Sequence, residues 1–217
     1  RQIITAPGKE AGMLLTNFPP KGWLSFEELT AHREDLIQLT IQGDRHGGSA
    51  VDYTVNPAIG LPFLTGNAES KEPSNHVLPA WDLVTGQMAA LGLLAAERHR
   101  NRTGEGQHVK LALADAAMAV MGHLGFIAEA QLGQERPRYG NYLFGAFGRD
   151  FLCNDGARVM VIGLTGRQWK SLCIATDATA AMAALGEKLG LDLSQEGNRF
   201  VARDEISAYI GAWIAGH

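Results

Sequence analysis

The stretch 79–116, PAWDLVTGQMAALGLLAAERHRNRTGEGQHVKLALADA, decides how this chain folds. A proline-led turn gives way at Asp82 to a run of Ala, Gly, Leu and Met whose pattern is helical through about Arg102. Thr103-Gly104-Glu105-Gly106 stops it, because glycine takes the left-handed conformation that closes a helix. Val109–Leu113 then reads as a strand and Asp115–Leu132 as another long apolar helix.

The residues upstream continue this alternation. Gly12–Thr16 is a short apolar strand, ended by Asn17-Phe18-Pro19-Pro20, since proline cannot continue a ladder. Ser25 and Glu28 have capping-box spacing, which predicts a short helix over Phe26–Arg33. Asp35–Ile41 is a second strand and residues 43–49 are a turn. Residues 52–66, interrupted by Pro57 and Pro62, suggest a short buried helix ending in a loop, and 67–75 an exposed loop. The expected fold class is therefore α/β, with a Rossmann-like, mainly parallel sheet layer that is incomplete here.

Around Gly133–Asn141 the texture becomes polar and rich in turn formers. Two strand-like runs, 144–152 and 158–163, flank Asn154-Asp155-Gly156, a strong hairpin signal. Helical stretches follow at 166–175, 177–189 and 203–214. The boundary is set near residue 138: residues 1–138 form part of a large α/β domain and 139–217 a small α+β domain.

Composition narrows the function. The chain has 217 residues, 46% hydrophobic and 19% charged, with a formal charge of −4 and no Lys/Arg block. A nucleic-acid surface is not expected, nor a membrane span, the longest apolar stretch being too short. Cys153 and Cys173 show no CxxC spacing and read as reduced thiols, which points to the cytoplasm. The chain starts without Met and reads as an internal piece of something longer.

No histidine pair or Cys/His cluster suggests a metal, and no glycine loop a phosphate cradle. His76, His99, His108 and His123 read as surface or satisfied core histidines. Asp82 has two readings. As an N-cap it would accept the free N–H groups of the first turn, for about 1 kcal/mol. As an ionised carboxylate at a helix start it could instead be a covalent nucleophile. The small residues behind it, Gly86, Ala89, Ala90, Gly92, Ala95 and Ala96, suit close approach of a ligand or tight helix–sheet packing. Physical chemistry alone leaves both pairs open.

The ordered motifs resemble the family III CoA-transferases. They run from Asp82 and Gly86 through the small-residue helix and Thr103-Gly104-Glu105-Gly106-Gln107 to a strand and Asp115-Ala116. Asn17-Phe18 is similar to the family's N-F after a strand, and Asp52 with Gly60-Leu61 and Leu64-Thr65-Gly66 to its D…G-L-x-x-L-T-G segment. Phe147 through Asp155-Gly156 with Val159–Ile162 resembles the small-domain hairpin. The segments 52–66, 75–87 and 140–151 most resemble the branch that moves CoA between the two carboxyl groups of mesaconate within one mesaconyl-CoA.

The resemblance implies Asp82 as the nucleophile and an aspartyl-CoA thioester as intermediate. It implies Asn17, Phe18, Asp52, Tyr139, Gly140 and Asn141 as substrate- or CoA-binding positions. No cofactor is held permanently; the CoA thioester is a substrate, and the partners are an acyl-CoA and a dicarboxylic acid. Tyr139–Gly145 matches a glycine-containing loop that the family places over its active site; an interdomain turn is the alternative. The family's racemase branch carries a His just before the Asp of the D…G-L segment, where Val51 stands here, and a hydrocarbon cannot move a proton. The remaining alternatives are intermolecular CoA transfer and an inactive truncated member. The family's first βαβ unit and its C-terminal return are not matched, and full-length members form interlocked homodimers.

Overall fold

The computed structural model describes all residues, 1–217, and the chain divides into two compact units. The first comprises Arg1–Thr65 and Glu72–Arg136, the second Gly66–Lys71 and Pro137–His217.

The first unit is built on three strands, β1 (Met13–Thr16), β2 (Ile37–Gln42) and β3 (Gln107–Ala112), in the order β1-β2-β3. Both pairings are parallel, with Leu15 opposite Leu39 and Leu39 opposite Val109. Parallel neighbours need crossovers. The β1–β2 crossover holds a 3-10 turn (Gly22–Leu24) and α1 (Phe26–Thr30); the β2–β3 crossover holds α2 (Asp52–Ala58), α3 (Leu61–Leu64) and α4 (Ala80–Thr103). Period-2 alternation sorts the faces of β2. Leu39 faces α4, while Gln38 reaches the Leu24 carbonyl (3.1 Å) and Thr40 pairs with His108 (3.1 Å), which stacks on Phe26. The predicted α/β class with a parallel sheet is what this unit has.

The T-G-x-G-Q turn earns its glycines. Gly104 closes α4 at φ +80° with its N–H on Arg100 O (2.7 Å), and a side chain on Gly106 would collide with the Leu36 carbonyl. Buried Arg100 donates to the carbonyls of Ala11, Gly12 and Asp35, fastening the end of α4 to the starts of β1 and β2.

Three helix expectations are corrected. Residues 115–132 are not one helix but α5 (Leu113–His123) and α6 (Phe126–Gln131), separated by Gly125 at φ +83°. Residues 52–66 hold two helices, parted by Gly60 at φ +81°; Pro57 lies inside α2 and Pro62 opens α3. The α1 helix ends at Thr30 instead of Arg33, although Ser25 Oγ does accept the Glu28 N–H (3.3 Å).

The second unit pairs β4 (Phe147–Leu152) with β5 (Arg158–Gly163) as an antiparallel hairpin around the expected Asp155-Gly156 turn. Helices α7 (Gly166–Ala175), α8 (Thr179–Leu189), α9 (Glu196–Val201) and α10 (Arg203–Ile214) close its core on Phe147, Trp169, Met182, Ile206 and Ile210. The short α9 has no counterpart in the sequence expectations. Its buried anchor is not apolar: Arg199 is fully buried and donates to the carbonyls of Leu193, Ser194 and Leu164. Cys153 and Cys173 are unpaired.

Candidate active site

In a parallel sheet the strand ends and the N-termini of the helices that follow converge on one edge, where ligands of open α/β sheets bind. Here that edge carries a cleft of about 840 Å³, formed by Asn17 and Phe18 after β1, Ile41–Gly43 at the end of β2, Leu113 after β3, and Asp82 from α4. A smaller recess of about 450 Å³ extends along α4 past Asp82, Thr85 and Gly86. Lys21, Arg45 and Lys110 also line the larger cleft, which thus holds three basic side chains and the one carboxylate of Asp82. The loop after β2 is wrapped on Asp44, whose carboxyl is held below its ordinary value first by the Gly48 N–H and then by that of His46. Arg45 pairs with Asp115 (2.9 Å).

Asp82 is not the N-cap. Pro79 holds that position and offers no side-chain hydrogen bond, so Asp82 is the third residue of α4. The free N–H groups of the first turn are met from another helix: Asp52 Oδ2 accepts the N–H of Trp81 (2.7 Å) and that of Asp82 (3.4 Å). The Asp82 carboxylate is exposed and makes no hydrogen bond or ion pair within the chain. A carboxylate in that state can attack an electrophile without first breaking an internal bond.

Asp52 lies behind this arrangement, only 2% exposed, rather than on the cleft wall. One turn along α2, Asn56 Oδ1 accepts the Trp81 indole N–H (3.1 Å) and pairs with His76 Nε2 (3.0 Å). Asn56 Nδ2 donates to Asn75, and Trp81 packs with Val55, Leu113, Ala117 and Met121. The sequence reading missed Asn56 and Trp81. The available signal was polar Asp52 and Asn56, four apart on one helix face in an otherwise apolar segment.

The small residues of α4 fall into two kinds. Gly92 packs on the sheet, since a Cβ there would lie 3.3 Å from Leu39 and 3.8 Å from Val109, and Ala89 and Ala96 are buried. Gly86 is different: a Cβ there would meet nothing within 4 Å, so its smallness leaves open the recess beside Asp82. Thr85, buried and lining the same recess, has a hydroxyl with no partner.

Asn17 and Phe18 share the cleft with Asp82, Phe18 being 70% exposed. Tyr139, Gly140 and Asn141 belong to the second unit. There Tyr139 packs edge-on against Phe200 (5.0 Å), Gly140 sits at φ +60° against Ala68, and Asn141 donates to Asp150 (2.9 Å). That bond, followed by the Arg158 guanidinium, holds the Asp150 carboxyl below its ordinary value. No group of His, Cys, Asp and Glu side chains is arranged to hold a metal ion, and no helix is long and apolar enough to cross a membrane.

The chain is 61% identical over 214 residues to 2-methylfumaryl-CoA isomerase of Chloroflexus aurantiacus, covering 98% of this chain and 52% of that one. It is 29% identical over 201 residues to succinyl-CoA:mesaconate CoA-transferase of Haloarcula hispanica, covering 88% and 48%. The chain thus spans about half the length of the curated relatives it matches. Its fold is shared with a CAIB/BAIF family protein from Brucella suis, at a TM-score of 0.70 and 22% identity, over 96% of this chain and 56% of that one. The model of CoA-transferase family III matches residues 8–217, and the chain belongs to that family.

Proposed function

We propose that this chain carries the nucleophile of an enzyme that moves CoA between the two carboxyl groups of 2-methylfumarate (mesaconate), through an aspartyl-CoA thioester on Asp82. One observation carries the proposal: the Asp82 carboxylate is unengaged, at a helix start, and is the one carboxylate in a cleft that also holds Lys21, Arg45 and Lys110. The 61% identity to 2-methylfumaryl-CoA isomerase supports the choice of substrate.

In the first step the Asp82 carboxylate attacks the thioester carbonyl and expels CoA thiolate, giving a mixed anhydride. The thiolate attacks the aspartyl carbonyl, giving the aspartyl-CoA thioester and the free dicarboxylate. The other carboxylate of that acid then attacks the thioester, releasing thiolate and forming a second anhydride. Thiolate attack on the substrate carbonyl of this anhydride yields the isomeric thioester and returns Asp82 as carboxylate. Electrons and atoms balance without an oxidant, a metal or a net proton.

Each group of the cleft has work in this scheme. Aspartate is ionised at neutral pH and needs no base. Lys21, Arg45 and Lys110 supply charge for the phosphates of CoA, and Asn17 an amide donor for an oxyanion beside Asp82. The open position at Gly86 leaves space for the acyl group. The enzyme works as a homodimer in the cytoplasm. Val51 at the head of α2 lines the cleft, so proton transfer of the racemase kind lacks its base there.

Asp82→Ala should lower turnover of 2-methylfumaryl-CoA by more than about 10³-fold, as expected for loss of a covalent nucleophile. Retained turnover would sink the scheme. Intermolecular transfer, the activity named for the Haloarcula relative, is the second reading. It requires that isotope-labelled free mesaconate added to the reaction enter the product; intramolecular transfer leaves the label outside.

A further inference from the structure

We propose that Asp52 is the positioning residue for the Asp82 carboxylate, and that with Asn56 it makes α2 a mount for the reacting end of α4. The inference rests on the reading of Asp82 as nucleophile.

A helix start is ordinarily capped by a side chain from its own flank, and a Ser, Thr or Asn there suffices. The α4 helix has Pro79 at that place, which contributes nothing. The N–H groups of Trp81 and Asp82 go instead to Asp52, thirty positions earlier at the head of α2. Burying a carboxyl group is unfavourable unless its oxygens find partners. Yet Asp52 is 2% exposed, and its second oxygen, Oδ1, has no partner. Capping alone does not call for such a group. Its specific effect is to hold the nucleophile's own peptide N–H while sparing the nucleophile's side chain from that task.

A second bond fixes what the first leaves free. Capping sets the height of the first turn, but the turn can still roll about its axis. The Trp81 indole, bonded to Asn56, removes that freedom. Asp82 follows Trp81 by about 100° around the helix, so a Trp81 locked inward places Asp82 toward the cleft. His76, bonded to the same Asn56 oxygen, ties in the segment that leads into the helix. His76 Nδ1 is buried without a partner.

The test measures the rate constant for CoA-adduct formation on Asp82 by rapid-quench mass spectrometry, with 2-methylfumaryl-CoA as the probe. Amplitude gives the competent fraction and is separated from the rate. Asp52→Ala should slow adduct formation about 100-fold, with the half-saturating acyl-CoA concentration unchanged. Asp52→Asn, which keeps one acceptor oxygen, should recover most of the rate. Trp81→Phe keeps the ring and deletes only the indole N–H; it should slow the step ~10-fold, and it carries the test should Asp52→Ala not fold. Hydrogen exchange at the Trp81 and Asp82 amides should quicken in Asp52→Ala. An Asp52→Ala protein with reduced amplitude but the parent rate constant would overturn the proposal, as would unchanged exchange at both amides. A parent protein that forms no adduct would overturn the Asp82 chemistry instead, and the exchange measurement then decides the mount by itself.

Discussion

Asp82 and Asp52 divide two tasks that a single aspartate at a helix start can combine: Asp52 meets the free N–H groups from within the core, and Asp82 keeps its carboxylate unengaged in the cleft. Two glycines on α4 show a comparable division. Gly86→Ala should raise the unfolding free energy by up to ~1 kcal/mol, because a helical Ala is favoured over Gly and the space is empty. Gly86→Leu should fold equally well but lower kcat/KM about tenfold or more by filling the recess. Gly92→Leu should do the reverse, costing ~1–3 kcal/mol of stability through overpacking on Leu39 while the catalytic parameters of the folded fraction stay near the parent's. Thermal unfolding and steady-state kinetics on the same preparations check all three. A Gly86→Leu protein with parent kinetics would show that the recess is not used.

At the scale of elements, Arg100 holds the far end of α4. Arg100→Ala strands the carbonyls of Ala11, Gly12 and Asp35 and should cost about 3 kcal/mol, read as a shift in the denaturant midpoint. In the second unit, Asn141 and Arg158 lower the pKa of Asp150 from its ordinary 3.8. A depressed folded pKa means stability that is present in full above the unfolded value and lost as pH falls through the folded one. Asp150→Asn should therefore weaken the protein at neutral pH, with the gap to the parent closing as pH drops below about 3.8. A gap that persists in acid would show that Asp150 acts through shape and not charge.

The same elements explain what was legible in the sequence. The strands and α4 could be read because their apolar runs end in Gly and Pro signals that the folded chain uses as such, Gly104 and Pro19 among them. The breaks at Gly60 and Gly125 were overrun because apolar pattern continues through them, and only the positive φ reveals the stop. The α9 helix was unreadable because its core residue is an arginine, held by the nearby Leu193 and Ser194 carbonyls and by that of Leu164, remote in sequence. In the site, the Asp82 motif was legible by resemblance, but which aspartate caps α4 was not. That depends on a contact between Asp52 and Trp81 that no local pattern encodes.

For the molecule as a whole, family membership and the parallel-sheet fold rest on nearly the full chain, while the activity is proposed for a protein whose matched relatives are about twice as long. The central claim is that CoA becomes covalently attached to one carboxylate. It is tested most directly by incubating the protein with 2-methylfumaryl-CoA, quenching, and mapping the peptide that spans Pro79–Arg98 by mass spectrometry. The account predicts a mass increase of CoA less one water on that peptide, localised to Asp82 and absent in Asp82→Ala. An adduct on another residue, or turnover with no adduct at any stage of the reaction, would contradict it.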